Sequence, residues 1–218
     1  MELILNKRMP NHATFNPGSI CNLACATCDE GASTRWQALK NLPIESHAFD
    51  QTVNDLDFTG IEHIVIGGGE PILHKSTHAV LEKLKHTNMR ILIHFNGTVK
   101  PSLDFLNLCS YYNDMTICFS IDGVEKHFEY LRWPGRWTKV DSNIKWIVQH
   151  APANIKFAVN ITISELNRTT HTLVVDWAKT VLPDNHQITF QETNEEMSLN
   201  YFDSIDQIRG TDWRKAFV

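Results

Sequence analysis

Three cysteines within eight residues are the part of this sequence that most clearly predicts chemistry. Cys21, Cys25 and Cys28 form a C-x3-C-x2-C pattern in the segment CNLACATCD. Three thiolates on one loop can bind one face of a metal cluster, whereas a structural zinc site or an ordinary cubane iron–sulfur cluster usually has four protein ligands. No fourth cysteine lies nearby, so the pattern predicts a metal centre with one position open to a substrate or cofactor. A zinc loop completed by a distant histidine is the alternative, and the 11 histidines of the chain permit it.

A glycine-rich turn that ends in a carboxylate follows the next apolar segment. Ile64-Val65-Ile66 runs into Gly67-Gly68-Gly69-Glu70-Pro71. Glycines allow the backbone to approach a ligand closely, and Glu70 can accept hydrogen bonds from a cationic group such as an ammonium. For this motif taken alone, a glycine turn with a solvated glutamate is the alternative.

Small polar residues stand where further apolar, β-branched segments end. Alternate residues of a strand point to opposite faces. In the segments 90–96, 115–122 and 155–162 one face is apolar, and the other is small and polar. In this register the polar residues at the strand ends are Asn96, Ser120, Asp122, Asn160 and Thr162. His94 shares the polar face, and we expect it to be a hydrogen-bonded core histidine.

Predicted strands and helices alternate six times along the chain. β-branched, apolar runs predict strands at His12–Asn16, His63–Ile66, Arg90–Phe95, Met115–Ile121, Ile155–Ile163 and Gln187–Phe190. Helical spacing occupies Trp36–Lys40, Thr77–Leu84, Leu103–Leu108, Lys126–Leu131, Val140–Val148 and Thr172–Thr180. Such alternation is typical of parallel βαβ units.

We therefore predict an α/β fold, a partial (βα)6 TIM-like barrel that is open on one side and has a short C-terminal extension. A parallel sheet covered by helices on both sides should be apolar on both faces, so the split faces indicate helices on one face and a solvated concavity on the other. In barrels of this type the chemistry lies at the C-terminal ends of the strands. Residues 1–192 are expected to form the barrel core, and residues 193–218 the extension.

Composition and charge exclude several classes of protein. The 218 residues, of which 42% are hydrophobic and 21% charged, are typical of one globular fold and exclude a disordered or collagen-like chain. A net charge of −5, without a basic block, gives no support for binding nucleic acid or an anionic membrane. No segment has the apolar length of a signal peptide core or a membrane span, so we expect a cytoplasmic protein.

From about Thr14 to about Gln191, these motifs and their order resemble the radical S-adenosylmethionine (SAM) superfamily. The C-x3-C-x2-C loop after the first strand of a partial (βα)6 barrel is its signature, and GGGEP is similar to its GGE motif on the second strand. The segment 95–98, FNGT, resembles the TNGT end of the third strand. Ser120-Ile121-Asp122-Gly123 with the downstream Arg132 is similar to the S-x-D-G segment and arginine of the peptide-modifying branch. One departure is Thr27, which stands where the family commonly has an aromatic residue near the adenine.

The resemblance implies two cofactors and a set of ligands. Cys21, Cys25 and Cys28 would hold a [4Fe-4S] cluster whose open iron chelates the amino and carboxylate groups of SAM. The residues implied to contact SAM are Gly68, Gly69 and Glu70 at the methionyl amino group, Ser120 and Arg132 at the carboxylate or ribose, and Asn96 and Asn160. Taken singly, each polar residue could instead be a cap or a surface group, and Arg132 beside Trp133 could form a cation–π pair at the surface.

The resemblance also implies an enzyme that cleaves SAM reductively to a 5'-deoxyadenosyl radical, which removes a hydrogen atom from a substrate. A flavodoxin- or ferredoxin-like protein would supply the electron. The segment Ile205–Phe217 resembles the end of the SPASM or twitch branch, so a peptide is the first expected substrate. No cysteine follows Cys118, so the auxiliary cluster of those branches is not expected. A small-molecule enzyme similar to 7-carboxy-7-deazaguanine synthase is the second possibility, and a non-catalytic zinc or iron–sulfur binding module is the third.

Overall fold

A computed structural model of the chain describes residues 11–44, 53–193 and 199–217. Six parallel strands form one sheet in chain order: β1 (His12–Phe15), β2 (His63–Ile66), β3 (Arg90–Phe95), β4 (Asp114–Ser120), β5 (Ile155–Ile163) and β6 (Gln187–Glu192). Within these residues the sheet begins at β1 and ends at β6 without closing on itself. The predicted partial (βα)6 barrel, open on one side, is confirmed.

In the described ranges, six helices connect or flank the strands, and two more follow the sheet. They are α1 (Thr34–Leu39), α2 (Lys75–Leu84), α3 (Leu103–Cys109), α4 (Glu125–Leu131), α5 (Trp137–His150), α6 (Thr172–Val181), α7 (Leu199–Arg209) and α8 (Arg214–Phe217), with short 3-10 turns at Val53–Asp55 and Pro71–Leu73. None of the described helices is long and apolar enough to cross a membrane.

The alternation of side chains along the strands separates the core from the concave face. In β4, Met115, Ile117 and Phe119 are completely buried against the helices, whereas Ser120 is only partly buried. β3 and β5 have the same two-residue period. Burial of each large apolar side chain stabilises the fold by about 1.5–3 kcal/mol. The apolar face of each strand therefore packs against the helices. The polar faces then line the concavity.

A second, smaller apolar cluster lies beside the cysteine loop, residues 21–28. Ala24, Ala26 and Trp36 pack there with Phe202 and Ile205 of α7. The helix that follows the sheet thus covers the loop from outside. The boundary between residues 1–192 and 193–218 stays a prediction.

Candidate functional site

One cavity at the C-terminal ends of the strands brings together residues from every predicted motif. Its volume is about 270 Å³. The predicted residues that line it are Cys21, Cys25, Cys28, Gly68, Gly69, Glu70, Asn96, Ser120, Arg132 and Asn160. The ten residues predicted as ligands therefore surround a single space, although their roles there stay predictions.

The cysteine loop is fixed on one side by the first turn of α1. Ser33 is the N-cap of this helix, and its Oγ accepts hydrogen bonds from the amides of Arg35 (3.1 Å) and Trp36 (3.3 Å). The same Oγ donates to the carbonyl of Leu23 at 2.5 Å. The indole of Trp36 donates to the carbonyl of Cys25 at 3.0 Å. A helix start thus positions the backbone on which the thiols are carried.

On its other side the loop pairs with the segment that follows α4. The amide of Ala24 donates to the carbonyl of Trp133 at 2.7 Å, and the amide of Ala26 donates to the carbonyl of Leu131 at 2.6 Å. The backbone of the loop is therefore held between α1 and the end of α4.

The end of β3 also holds the loop, through an amide network. The side chain of Asn96 donates to Asn22 Oδ1 at 3.0 Å and accepts from the backbone amide of Thr98 at 2.9 Å. Asn22 Nδ2 in turn donates to Thr98 Oγ1 at 2.8 Å. The amide group of Asn96 is thus engaged in positioning the loop.

The three thiols of the loop are close enough to act on one another's charge; Cys25 is buried, and Cys21 and Cys28 are partly buried. Burial raises the pKa of Cys21 and of Cys28 to about 12, and Cys25 adds to the rise at both. Burial likewise raises the pKa of Cys25. A tetrahedral zinc ion would bring its sulfur ligands within about 4 Å of one another, and no three His, Cys, Asp or Glu side chains in the described part of the chain are arranged to hold one ion. A cubane cluster binds each thiolate at a different iron, and three neighbouring thiols on one loop fit that donor set.

The pairing of β1 with β2 continues past both strands and places the glycine segment against the start of the cysteine loop. The amide of Gly69 donates to the carbonyl of Gly18 at 2.9 Å, and the amide of Glu70 donates to the carbonyl of Ile20 at 2.8 Å. The second motif thereby supports the first.

Two of the three glycines are required by this close packing. A Cβ on Gly68, whose φ is +104°, would collide with the side chain of Asn16. A Cβ on Gly69 would collide with the carbonyl of Ile20. Gly67 also lines the cavity, but a Cβ there would meet no atom within 4 Å. Glycine at position 67 therefore leaves space at the cavity, and we did not predict this from the sequence.

Glu70 is a buried carboxyl group, with 2% of its surface exposed. Its Oε2 accepts a hydrogen bond from the amide of Asn96 at 2.8 Å. Burial raises the pKa of Glu70 to about 8, although the backbone hydrogen bonds and Arg132 act against the rise. The alternative of a solvated glutamate is therefore wrong. A cationic ligand group would offset the cost of burying the carboxylate.

Arg132 is also buried, with 8% exposed, and forms an ion pair at the site. Its Nε lies 2.9 Å from Oδ2 of Asp122. Burial opposes the charge, but the carboxylate of Asp122 holds the pKa of Arg132 above its ordinary value. The alternative of a surface cation–π pair with Trp133 is wrong, because the cations over that ring are Arg35 and Arg209.

Asp122, one of the polar residues at the strand ends, lies beneath the cavity and does not line it. It is completely buried, and its Oδ1 accepts from the amide of Thr162 at 2.8 Å. The end of β4 thus supplies a serine that lines the cavity and, two residues later, a structural carboxylate.

His94, Ser120 and Asn160 come from three neighbouring strands. Ser120 and Asn160 are register partners, and Asn160 Oδ1 accepts from Thr189 Oγ1 at 2.9 Å. His94 lines the cavity, has no hydrogen bond within the described residues, and has its pKa lowered by burial and by Arg132. The expectation of a hydrogen-bonded core histidine is therefore wrong.

Besides His94, three polar residues that line the cavity were not predicted as ligands: Thr27, Thr162 and Gln191. Thr162 was placed at a strand end without a role. Gln191 was missed because the predicted sixth strand ended at Phe190, one residue too early to extend the polar face.

Comparisons with known proteins match the cysteine loop and the barrel together. The Radical SAM superfamily model matches residues 15–168. The antilisterial bacteriocin subtilosin biosynthesis protein AlbA of Bacillus subtilis is 30% identical over 146 residues, which are 65% of this chain and 31% of AlbA. The 7-carboxy-7-deazaguanine synthase of Rhodopirellula baltica is 30% identical over 102 residues, 44% of this chain and 36% of that enzyme. The chain spans about a third of the length of these curated relatives.

Solved structures with the same fold extend over nearly the whole chain. SuiB of Streptococcus suis, bound to its precursor peptide SuiA, has a TM-score of 0.64 at 15% identity and covers 96% of this chain and 48% of SuiB. Methylornithine synthase (PylB) has a TM-score of 0.54 at 12% identity, covering 90% of this chain and 61% of that chain. Identities this low show the fold alone, which is the open half-barrel.

Proposed function

The chain belongs to the radical SAM superfamily, and we propose that it is an enzyme that cleaves S-adenosylmethionine reductively at a [4Fe-4S] cluster and removes a hydrogen atom from a peptide substrate. The observation that carries the proposal is the convergence of three thiols, a buried carboxyl and a buried guanidinium on one cavity. When bound, the two cofactors supply an electron and a 5'-deoxyadenosyl radical, which is the chemistry that no side chain of the chain can provide.

Cys21, Cys25 and Cys28 would hold three corners of the cluster and leave the fourth iron to the methionyl group of SAM. Each thiol must lose its proton to bind iron. Because burial raises the pKa values of the free thiols, these thiols would lose their protons when positively charged iron binds.

Two buried charged groups suit the two ends of an amino acid. Glu70 would receive the methionyl ammonium, which supplies the cation that this buried carboxyl lacks. Arg132 has its Nε directed at Asp122, so its remaining N–H groups can donate to the methionyl carboxylate.

The remaining predicted ligands would complete the cradle. The backbone of Gly68 and Gly69 would contact the methionyl amino group, and the hydroxyl of Ser120 the carboxylate or ribose. Asn160 would contact SAM from β5, while Asn96 would act through the cysteine loop that it positions.

A peptide is the substrate class that the relatives favour. AlbA, whose name records a role in bacteriocin biosynthesis, matches 146 residues of the chain, whereas the synthase of Rhodopirellula baltica matches 102. The second candidate is a small-molecule reaction similar to that of 7-carboxy-7-deazaguanine synthase, since several such enzymes are 29–30% identical to part of the chain. Either reaction would need a flavodoxin- or ferredoxin-like donor, and we place the enzyme in the cytoplasm, where thiols stay reduced.

Anaerobic reconstitution tests the chemistry. We expect about four irons per chain, a change in the electron paramagnetic resonance (EPR) spectrum of the reduced cluster when SAM is added, and 5'-deoxyadenosine after reduction with dithionite. Cys28→Ala should abolish all three. Cys109→Ala, which changes a buried cysteine of α3 outside the site, should retain them. An intact, reducible cluster that forms no 5'-deoxyadenosine would overturn the proposal.

The substrate class is tested by offering both kinds of substrate to the active enzyme. A short peptide encoded beside the gene, prepared in deuterated form, should transfer deuterium to 5'-deoxyadenosine on incubation, with one 5'-deoxyadenosine formed per modified peptide. Formation of 7-carboxy-7-deazaguanine from a small-molecule precursor, with no change in the peptide, would instead establish the second candidate.

A further inference from the structure

The helix α7 places a buried arginine directly behind the cysteine loop. Arg209 is the last residue of α7 and has 7% of its surface exposed. Its Nη2 donates to the carbonyl of Ala24, and its Nη1 donates to the carbonyl of Tyr130 at 3.1 Å. One guanidinium therefore joins the residue before Cys25 to the last turn of α4, although 185 positions separate Arg209 from Ala24.

The guanidinium of Arg209 is enclosed by aromatic rings. Its central carbon lies 5.1 Å from the ring centre of Trp36, 5.6 Å from that of Tyr130 and 5.9 Å from that of Trp133. No carboxylate in the described part of the chain lies within ion-pair distance of it, and its Nε is buried without a hydrogen-bond partner. The charge of Asp206, three residues earlier on α7, acts on Arg209, but its carboxylate accepts from Thr211 Oγ1 and from the amide of Trp213 and forms no ion pair with the guanidinium. A buried cation without a direct counter-charge is costly, and an anion at a neighbouring site offsets that cost.

The hydrogen bonds of Arg209 extend an existing backbone pairing. Ala24 and Ala26 donate to the carbonyls of Trp133 and Leu131, which tie the loop to the segment after α4. The guanidinium of Arg209 donates one further hydrogen bond to each side of this pairing, to the carbonyl of Ala24 in the loop and to that of Tyr130 in α4. Removing it would leave both carbonyls without this shared donor and would loosen the loop on which the thiols are held.

We propose that Arg209 is a positioning residue that braces the cysteine loop and whose charge favours the reduced state of the cluster. This inference rests on the proposed function, because it takes the anion beside Arg209 to be the thiolate-bound cluster. Reduction adds one negative charge to that cluster, so a nearby buried cation stabilises the reduced state more than the oxidised state.

Three variants separate the two parts of this role. Arg209→Met keeps the apolar stem and removes the charge and the donors, whereas Arg209→Lys keeps the charge without the planar fork. Arg214→Met is the matched control, since Arg214 lies on α8 with its side chain 54% exposed and pairs with Asp203 at 2.9 Å. The reconstituted full chains are compared by EPR redox titration, and the unreconstituted chains by hydrogen exchange of the Ala24 and Ala26 amides.

We expect Arg209→Met to lower the ratio of reduced to oxidised cluster about tenfold at a fixed potential, which is a shift of about 59 mV. The amides of Ala24 and Ala26 should exchange faster in Arg209→Met than in the wild type. Arg209→Lys should recover most of the wild-type ratio of reduced to oxidised cluster, but its two loop amides should also exchange faster. Arg214→Met should match the wild type in both measurements. A wild-type ratio or wild-type amide protection in Arg209→Met would overturn the proposal. If the wild type forms no cluster, the proposed function fails, and the exchange experiment alone still decides whether Arg209 braces the loop.

Discussion

The Nε of Arg132 lies 2.9 Å from Oδ2 of Asp122, and neither side chain has more than a tenth of its surface in water. Asp122 lies two residues after the end of β4, whereas Arg132 directly follows α4. The pair therefore fixes the end of a helix to the end of a strand and holds the guanidinium at the wall of the cavity. A cation held in this way can bind a carboxylate without first losing side-chain freedom.

Removal of the Asp122 carboxylate should be strongly destabilising. In Asp122→Ala, Arg132 becomes a buried charge without a partner and the amide of Thr162 loses its acceptor, so we expect a loss of about 3–5 kcal/mol in the free energy of unfolding. Denaturant unfolding of the unreconstituted chain measures it. Asp114→Ala is the matched control, since Asp114 is partly exposed and pairs with Arg90 and Lys156, and it should lose about 1 kcal/mol or less. Equal losses in the two variants would contradict the buried ion pair.

The three consecutive glycines should respond differently to alanine. Gly68→Ala and Gly69→Ala force a Cβ into the segment 16–20, and we expect each to lose about 1–3 kcal/mol of stability. Gly67→Ala places its methyl group in open space, so its stability should stay within about 0.5 kcal/mol of the wild type. Denaturant unfolding ranks the three, and isothermal titration of the reconstituted chain with SAM should show weakened binding for Gly67→Ala although its stability is unchanged, because its methyl group enters the cavity. The reverse order of stability would show that the glycine segment does not pack against the cysteine loop.

The separation of apolar and polar faces was predictable because it depends on local sequence. A two-residue period in β3, β4 and β5 places His94, Ser120 and Asn160 on one face without knowledge of the rest of the chain. The cysteine loop and the glycine motif were equally accessible, since their chemistry is contained in their own spacing.

Contacts between distant segments were not predictable in this way. The pairing of Arg132 with Asp122 depends on how α4 returns to the sheet. The helix α7 was not predicted from the sequence. Its buried face carries Phe202, Ile205 and Arg209. Because the third of these residues is charged, the spacing of apolar residues that predicts a helix is interrupted. The residue that obscured the helix in the sequence is the one that contacts the cysteine loop.

The buried carboxyl of Glu70 should make the unliganded protein less stable as the pH rises. Burial raises its pKa from the usual 4.5 to about 8. Between these values the folded chain binds more protons than the unfolded chain. The stabilising contribution of the protonated group is complete below pH 4.5 and is lost as the pH rises through about 8, at up to about 1.4 kcal/mol per pH unit.

The Glu70→Gln variant tests this dependence because an amide can still accept the hydrogen bond from Asn96. We expect its free energy of unfolding to vary less between pH 5 and 8 than that of the wild type, and its affinity for SAM to fall at least tenfold. Glu62→Gln, a substitution at the surface, should follow the wild-type curve. A wild-type pH dependence in Glu70→Gln would contradict a raised pKa at this position.

Ser33 links the stability of α1 to the geometry of the cysteine loop. Its Oγ caps the helix and donates to the carbonyl of Leu23, so Ser33→Ala loses a cap and leaves a buried carbonyl without its donor. Together these should cost about 2–3 kcal/mol of unfolding free energy. Ser102 is the N-cap of α3, outside the site, and its Oγ accepts a hydrogen bond from the amide of Phe105 at 3.1 Å. Ser102→Ala should therefore lower the free energy of unfolding by about 1 kcal/mol.

The rate of iron release from the cluster should differ more clearly between the two serine variants than the free energy of unfolding does. Ser33→Ala should release iron to a chelator several times faster than the wild type, because the backbone between Cys21 and Cys25 loses one of its anchors on α1. Ser102→Ala should release it at the wild-type rate. Since both changes weaken a helix start, an equal rate of iron release in the two variants would mean that the loop holds its geometry without Ser33. A faster release confined to Ser33→Ala would establish that the N-terminus of α1 is part of the metal site.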